Sequence, residues 1–295
     1  YRLFGDLDCS ANDHRAGLFR FLQLGTYVFA SVNEDNEIGS GTAVGRPLVG
    51  YINLSPSYLN GLPNNSVMLP FYLKAAFHEL THTLGFSSSM FPNYVDHRTG
   101  KGYPNVTFVR EERGHNVTYL RTPRVLDFAR NYYDCPSMEG MELEDWGKSV
   151  SAMSHWEKRL VEEEYMNPQI SPSLFISNLT LALFEDMGWY QPNYTAAEPM
   201  TFGQGRGCPF LEEECTNSSA WSDLICSASS PAGCDTSASS LSKCSLTTYP
   251  TDYIPSYYQY FADPTLGGQP FMDFCPVAVS TGSYCGDMST FKVGV

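Results

Sequence analysis

Phe77-His78-Glu79-Leu80-Thr81-His82-Thr83-Leu84-Gly85-Phe86 carries the pattern H-E-x-x-H, and no other stretch of the chain says as much about its fold. On a helix, residues four apart share one face, so His78 and His82 can both offer an imidazole nitrogen to one zinc ion, with Glu79 beside them. Zinc brings the pKa of its water toward neutrality, and an adjacent carboxylate can take the proton as that water attacks a polarised peptide carbonyl. The bland alternative is a helix that happens to carry two surface histidines and a glutamate. Its neighbourhood argues for the metal. Pro70 suits a first helical turn, and Leu73, Phe77, Leu80 and Leu84 make an apolar stripe that can pack on a sheet.

That sheet is expected just upstream, where β-branched and aromatic residues recur between turn signals: Tyr27-Val28-Phe29-Ala30, Gly39-Ser40-Gly41, then the run from Leu48 to Leu54. His14, ahead of the sheet, reads as structural. Gly85 lies three residues past His82, as in the metzincin pattern H-E-x-x-H-x-x-G-x-x-H, where the glycine lets the chain leave the helix and bring a third histidine to the metal. Position 88 is a serine, a poor zinc ligand, so the third must come from His97, His115 or His155. His155 is favoured because Met166 follows in Glu164-Tyr165-Met166-Asn167-Pro168, and a methionine in a tight turn beneath the metal is the other metzincin mark. A lone methionine is otherwise ordinary core packing. His97 and His115, in polar stretches, read as solvated loop residues.

From 87 to 153 the pattern weakens into an insertion of loops, with one helix expected over 123–133. Another helix is expected over 173–187, with Leu179, Ala182, Leu183 and Met187 on one side and Gly188 ending it. Beyond Gln191 the composition turns to Ser, Thr, Gly, Pro and Cys, which marks a separate loop-rich module.

Composition bounds the function. With 42% hydrophobic and 17% charged residues, the 295-residue chain can bury a real core. A net charge of −14 works against phosphate backbones, which argues against a nucleic-acid partner. No stretch is apolar enough to cross a bilayer. Of the 9 cysteines, all but Cys9 and Cys135 fall after residue 207. They lack C-x-x-C knuckles, so a bridged secreted module is favoured over a zinc ribbon. Sequons at Asn64, Asn105, Asn116, Asn178, Asn193 and Asn217 agree with an extracellular or cell-surface place reached through the secretory pathway. The odd cysteine number, the absence of a signal segment in Tyr1-Arg2-Leu3-Phe4-Gly5-Asp6 and the absence of an anchor signal in Phe291-Lys292-Val293-Gly294-Val295 suggest a piece of a longer chain.

Several stretches, in order, closely resemble the leishmanolysin family of zinc metalloproteases. They are Gly45-Arg46-Pro47 with Gly50 and Ile52-Asn53; the motif from His78 to Phe86; Leu143-Glu144-Asp145; Ser154-His155-Trp156; 179–189; Phe202-Gly203-Gln204 with Gly207-Cys208; and Tyr258-Gln259-Tyr260-Phe261 with Phe271-Met272-Asp273-Phe274-Cys275-Pro276. That family carries a long insertion between the glycine and the third histidine. The resemblance implies His78, His82 and His155 as ligands of one zinc ion, Glu79 as general base and Met166 as the Met-turn residue. It implies an α+β fold: a metzincin-type catalytic domain with a small twisted sheet and active-site helix, a lower helical and loop lobe, then a disulfide-rich C-terminal module. The corresponding boundaries are 1–88, 89–207 and 208–295. It also implies bridges Cys135–Cys208, Cys215–Cys275 and Cys226–Cys244, leaving Cys9 in question and Cys234 and Cys285 in need of partners beyond Val295. The family's additional upper-lobe chain and its cysteine-bearing pro-segment are not recognisable here.

The function expected is a zinc endopeptidase acting on protein or peptide substrates, with an extended substrate pairing along the strand over 48–54. Membrane attachment would lie in a missing C-terminus. The alternatives are a coat or adhesion glycoprotein keeping a structural zinc site and a small-molecule metallohydrolase. Glu79 argues against the adhesion reading, because it does not ligate metal and a merely structural site has no need of it.

Overall fold

Helix α1 (Met68–Leu84) holds Pro70 in its first turn and then runs through good helix formers, among them Leu73, Lys74, Ala75, Ala76 and Glu79. It stops at Gly85, whose φ of 139° suits glycine alone; a Cβ there would come within 3.1 Å of both Met187 Sδ and the Trp189 ring. The computed structural model describes residues 22–25, 45–47, 51–54, 68–146, 152–169, 174–227, 233–235 and 240–284. The expected strand at 27–30, the Gly-Ser-Gly turn at 39–41 and the start, 48–50, of the expected run to Leu54, together with His14, Cys9 and Cys285, lie outside the described residues. Two short strands, β1 (Leu22–Gly25) and β2 (Tyr51–Leu54), pair antiparallel from Leu22 opposite Leu54 to Gly25 opposite Tyr51, and β2 touches α1.

The buried face of α1 is not the apolar stripe. Ala75, His78, Glu79 and His82, spaced as one helix face, are 0–8% exposed, whereas Leu73, Phe77 and Leu80 are 41–49% exposed. Hydrophobicity is overridden because the polar face packs against the segment that carries His155.

The insertion contains more order than its sequence suggests. Strands β3 (Thr107–Glu112) and β4 (His115–Leu120) form a hairpin, extended by β5 (Met141–Glu142) into a three-stranded antiparallel sheet. Its two-residue turn is Arg113-Gly114, both at positive φ (49° and 82°), the geometry of the tight hairpin turns that match strand twist. Helix α2 (Pro123–Tyr133) occupies the expected residues. Asp186 caps it, accepting from Arg124 N at 2.8 Å and Val125 N at 3.0 Å. After a single turn, α3 (Lys158–Val161), comes α4 (Asn178–Asp186). It starts five residues later than expected, where the Ser177 side chain accepts from Thr180 N and caps it. Leu179, Ala182, Leu183 and Met187 are buried, as their spacing requires.

Past α5 (Cys208–Glu212) the chain is loop-rich, with β7 (Ser240–Cys244) between β6 (Gly233–Cys234) and β10 (Ala278–Tyr284), and a small pair, β8 (Thr247–Thr248) with β9 (Leu266–Gly267). One apolar core crosses residue 207 without a break: Phe86, Tyr133, Trp156, Leu160, Phe210, Trp221 and Val277 belong to it. Arg159, fully buried, bonds the carbonyls of Leu211 at 2.6 Å and Phe210 at 3.3 Å, lies over the Trp221 ring and pairs with Asp273 at 3.2 Å. Arg113 is likewise buried, between Glu142 and Asp273.

Disulfides join Cys135 to Cys208, Cys215 to Cys275 and Cys226 to Cys244, the pairings that the family resemblance implies. Cys234 is exposed and unbridged among the described residues.

Candidate metal centre

Three histidines from two remote stretches meet at their Nε2 atoms. His78 to His82, His78 to His155 and His82 to His155 are each separated by 3.1 Å, an equilateral triangle. The helix dictates one edge, since His78 and His82 are one turn apart on α1. The third corner arrives because Leu143 and Trp156 pair as an antiparallel bridge, and Phe86 packs on Trp156 at 4.7 Å between ring centroids. His97 is exposed and takes no part. His115 is not the solvated loop residue expected from its polar surroundings. It begins β4, stacks on Tyr257 and pairs through Nε2 with Asp145 at 2.9 Å.

The ring orientations are set by carbonyl oxygens, which only accept. His78 Nδ1 donates to Tyr165 O at 2.5 Å, and His82 Nδ1 donates to Phe86 O at 2.8 Å. The Nε2 atoms of His78 and His82 are therefore the bare lone-pair ends of neutral imidazoles. Burial pushes the His78 imidazole down to about 3, helped by the neighbouring His82, and that of His82 down to about 4, so both stay neutral. Lone pairs converging at 3.1 Å repel unless a cation lies among them.

That donor set fits zinc. Ligand atoms about 2.0–2.1 Å from a tetrahedral centre lie roughly 3.3 Å apart, close to the observed edges, and three protein nitrogens leave a fourth position for chemistry. Glu79, the residue after His78, is 8% exposed, and its Oε2 meets no hydrogen-bond donor. Burial pushes its carboxyl up to about 8. A cation held next to it acts in the opposite sense and restores the carboxylate.

Met166 is fully buried in a tight turn over 164–167, closed by Asn167 N donating to Glu164 O at 3.0 Å. Its carbonyl accepts from Trp156 N at 3.1 Å, which ties the turn to the residue beside His155. Sequence reasoning overlooked the supports of this turn. Glu164, fully buried, accepts from Met166 N at 2.5 Å, Ser177 Oγ at 2.8 Å and Thr180 Oγ1 at 2.5 Å, and Thr180 Oγ1 accepts from Trp156 Nε1 at 2.9 Å. Glu164 sits two residues before Met166, in a segment already singled out, but nothing local distinguishes a buried glutamate from a surface one. The orienting carbonyls of Tyr165 and Phe86 belong to the backbone and leave no mark in the sequence.

A family model for peptidase M8, described as leishmanolysin, matches residues 41–292. Leishmanolysin of Leishmania major is 36% identical over 241 residues, which is 80% of this chain and 37% of that protein. Leishmanolysin of Leishmania chagasi is 34% identical over 242 residues, 81% of this chain and 38% of its own length. A leishmanolysin-like peptidase of Drosophila melanogaster is 36% identical over 203 residues, covering 59% of this chain and 29% of the relative. The chain thus spans well under half the length of these relatives.

Proposed function

Because this chain belongs to the leishmanolysin family, we propose that it is a zinc-dependent endopeptidase of metzincin type, with His78, His82 and His155 holding one zinc ion. The observation that carries this is the 3.1 Å triangle of Nε2 atoms beside Glu79, whose buried Oε2 meets no donor. Zinc bound there supplies a Lewis acid that acidifies water and polarises a peptide carbonyl. Glu79 takes the proton from the attacking water and returns it to the departing amine. Tyr165 and Phe86, through their carbonyls, keep the imidazoles in the ligating tautomer. Met166 serves as the floor of the site, held by the Glu164 and Thr180 bonds. An extended substrate pairs with the β1–β2 sheet beside α1, gaining backbone affinity by strand addition.

The parts divide the labour as the boundaries 1–88, 89–207 and 208–295 suggest: two ligands and the base, then the third ligand and the turn, then a disulfide-bridged C-terminal module that closes the core over Arg159. An extracellular or cell-surface setting is supported by the three disulfides and by the sequon asparagines Asn105, Asn116, Asn178, Asn193 and Asn217, all exposed. No helix among the described residues is long and apolar enough to cross a membrane.

The test is metal analysis with digestion of an unfolded protein, with and without chelator. One zinc per chain and chelator-sensitive cleavage are expected. Stoichiometric zinc with no cleavage, in protein freed of any pro-segment, would sink the enzyme and favour the adhesion glycoprotein with a structural zinc site.

A further inference from the structure

A second cluster of metal-binding groups lies close to the histidine triangle and plays no part in it. Glu144, Asp145 and Glu157 bring one carboxylate oxygen each within 4.8 Å of one another. Glu144 and Glu157 flank the Leu143–Trp156 bridge, and Glu144 N donates to His155 O at 3.0 Å. Both glutamates are buried, at 0% and 1% exposure.

Buried carboxylates are ordinarily matched by a cationic side chain. Here the adjacent cations are turned elsewhere: Lys158 pairs with Glu162 at 2.6 Å and Arg159 with Asp273 at 3.2 Å. Among the described residues, Glu144 and Glu157 form no ion pair, and their donors are backbone amides. Trp146 N and Lys158 N reach Glu144 at 2.9 and 3.4 Å, and Arg159 N reaches Glu157 Oε1 at 2.9 Å. Glu157 Oε2 meets no donor at all, although it is buried. A buried carboxyl oxygen without a donor, in a group of three acids, has nothing among the described residues to balance its charge once ionised. Asp145 differs from the other two: partly exposed, it pairs with His115 Nε2 at 2.9 Å and accepts from Tyr258 OH at 3.2 Å. It forms the solvent-side rim through which an ion could enter.

We propose that Glu144, Asp145 and Glu157 form a calcium-type site for a hard divalent cation, distinct from the histidine triangle. An all-oxygen, all-carboxylate set selects a hard cation over zinc. Ligands from a bridge, a loop and a helix cap offer irregular geometry, which calcium tolerates and magnesium, with its near-octahedral demand, does not. The ion would pin Glu144 to Glu157 across the bridge and so hold the segment that presents His155. Calcium binding itself is independent of the zinc reading; only this consequence for His155 rests on it.

The test uses the full chain, zinc-loaded and stripped of calcium, titrated with calcium chloride by calorimetry and followed by thermal unfolding. Expected is one calcium per chain with Kd below about 1 mM, and a melting midpoint raised by about 3–6 °C at ten times Kd. Glu157→Gln, which keeps the shape and removes the charge, should weaken calcium at least tenfold. Asp145→Asn, at the partly exposed rim, should weaken it several-fold and serves if the first variant folds poorly. Absence of calcium binding, equal affinity for magnesium, or unchanged affinity in both variants would each overturn the proposal. So would a wild-type protein indifferent to calcium that Glu157→Gln stabilises, since a proton would then be balancing the cluster. Zinc content, measured in the same samples, reports on the histidine site separately.

Discussion

His78 Nδ1 donates to the carbonyl oxygen of Tyr165 at 2.5 Å, across 87 residues of sequence. That bond joins α1 to the turn holding Met166, and it leaves the His78 Nε2 lone pair facing His82 and His155. The orientation of the His78 imidazole and the placement of the turn are thus one structural fact, and perturbing either should disturb the other.

Replacing Glu79 separates chemistry from binding. Glu79→Gln is expected to lower kcat for peptide cleavage by about 10²–10⁴ while zinc stays at one per chain. If the variant cleaves at the parental rate, Glu79 is not the base.

The third corner is the test of the triangle. His155→Ala should cut zinc affinity by two orders of magnitude or more, because two imidazoles alone leave the ion half-coordinated. Metal retained during competition with a chromogenic chelator is the readout. Retention equal to the wild type would assign the third donor elsewhere.

Arg159 holds the C-terminal loops to the core. Arg159→Met leaves Asp273 without its closest cation at 3.2 Å and should destabilise by about 3–5 kcal/mol. Denaturant titration measures this, and a loss under about 1 kcal/mol would show that Arg113 alone suffices.

Cys215 and Cys275 close a 60-residue loop with both sulfurs buried. On the chain-entropy account, the double replacement by serine should destabilise by roughly 4 kcal/mol. The expected signature is a lower denaturant midpoint under oxidising conditions, with the two proteins converging at a common, lower midpoint once all remaining bridges are reduced in both.

The pair of His115 and Asp145 predicts a pH dependence. Burial lowers the His115 pKa, but the hydrogen bond and charge of Asp145 outweigh it and the net direction is upward. A histidine whose folded pKa lies above its unfolded value of about 6.5 adds stability that is complete below that value and lost as pH rises through the folded pKa. The melting midpoint of the wild type should therefore exceed that of His115→Gln most at about pH 6, with the gap closing in the alkaline range. A gap that is constant with pH would mean that stacking on Tyr257, rather than charge, is what His115 contributes.

Local rules carried the parts whose causes are local. Pro123 opening α2, Gly85 and Gly188 ending their helices, and the four-residue spacing of His78 and His82 all depend on backbone geometry within a few residues. The β3–β4 hairpin escaped because its turn is Arg113-Gly114 rather than Asn-Gly, and Arg110, Glu111 and Glu112 blur the alternation. His115 was misjudged for a related reason: its partners Asp145 and Tyr258 are remote, so a polar neighbourhood in sequence said nothing about its burial. The face of α1 was misassigned because apolar spacing identifies a stripe without saying what lies opposite it. Here the opposing segment brings His155, and the histidine face turns inward.

The amino-acid order alone determined that one helix offers two imidazoles and a carboxylate, that its end is a glycine, and, through resemblance to a known family, which distant histidine and which cysteines join in. Folding decided the rest: the 3.1 Å closure of the triangle, the tautomers set by two carbonyls, the burial of Arg159 beneath the C-terminal loops and the buried Glu157 Oε2 that meets no donor. The division follows from range. Helix periodicity and chain stops act between near neighbours, whereas lone-pair convergence and desolvation arise only when residues far apart in the chain are packed together.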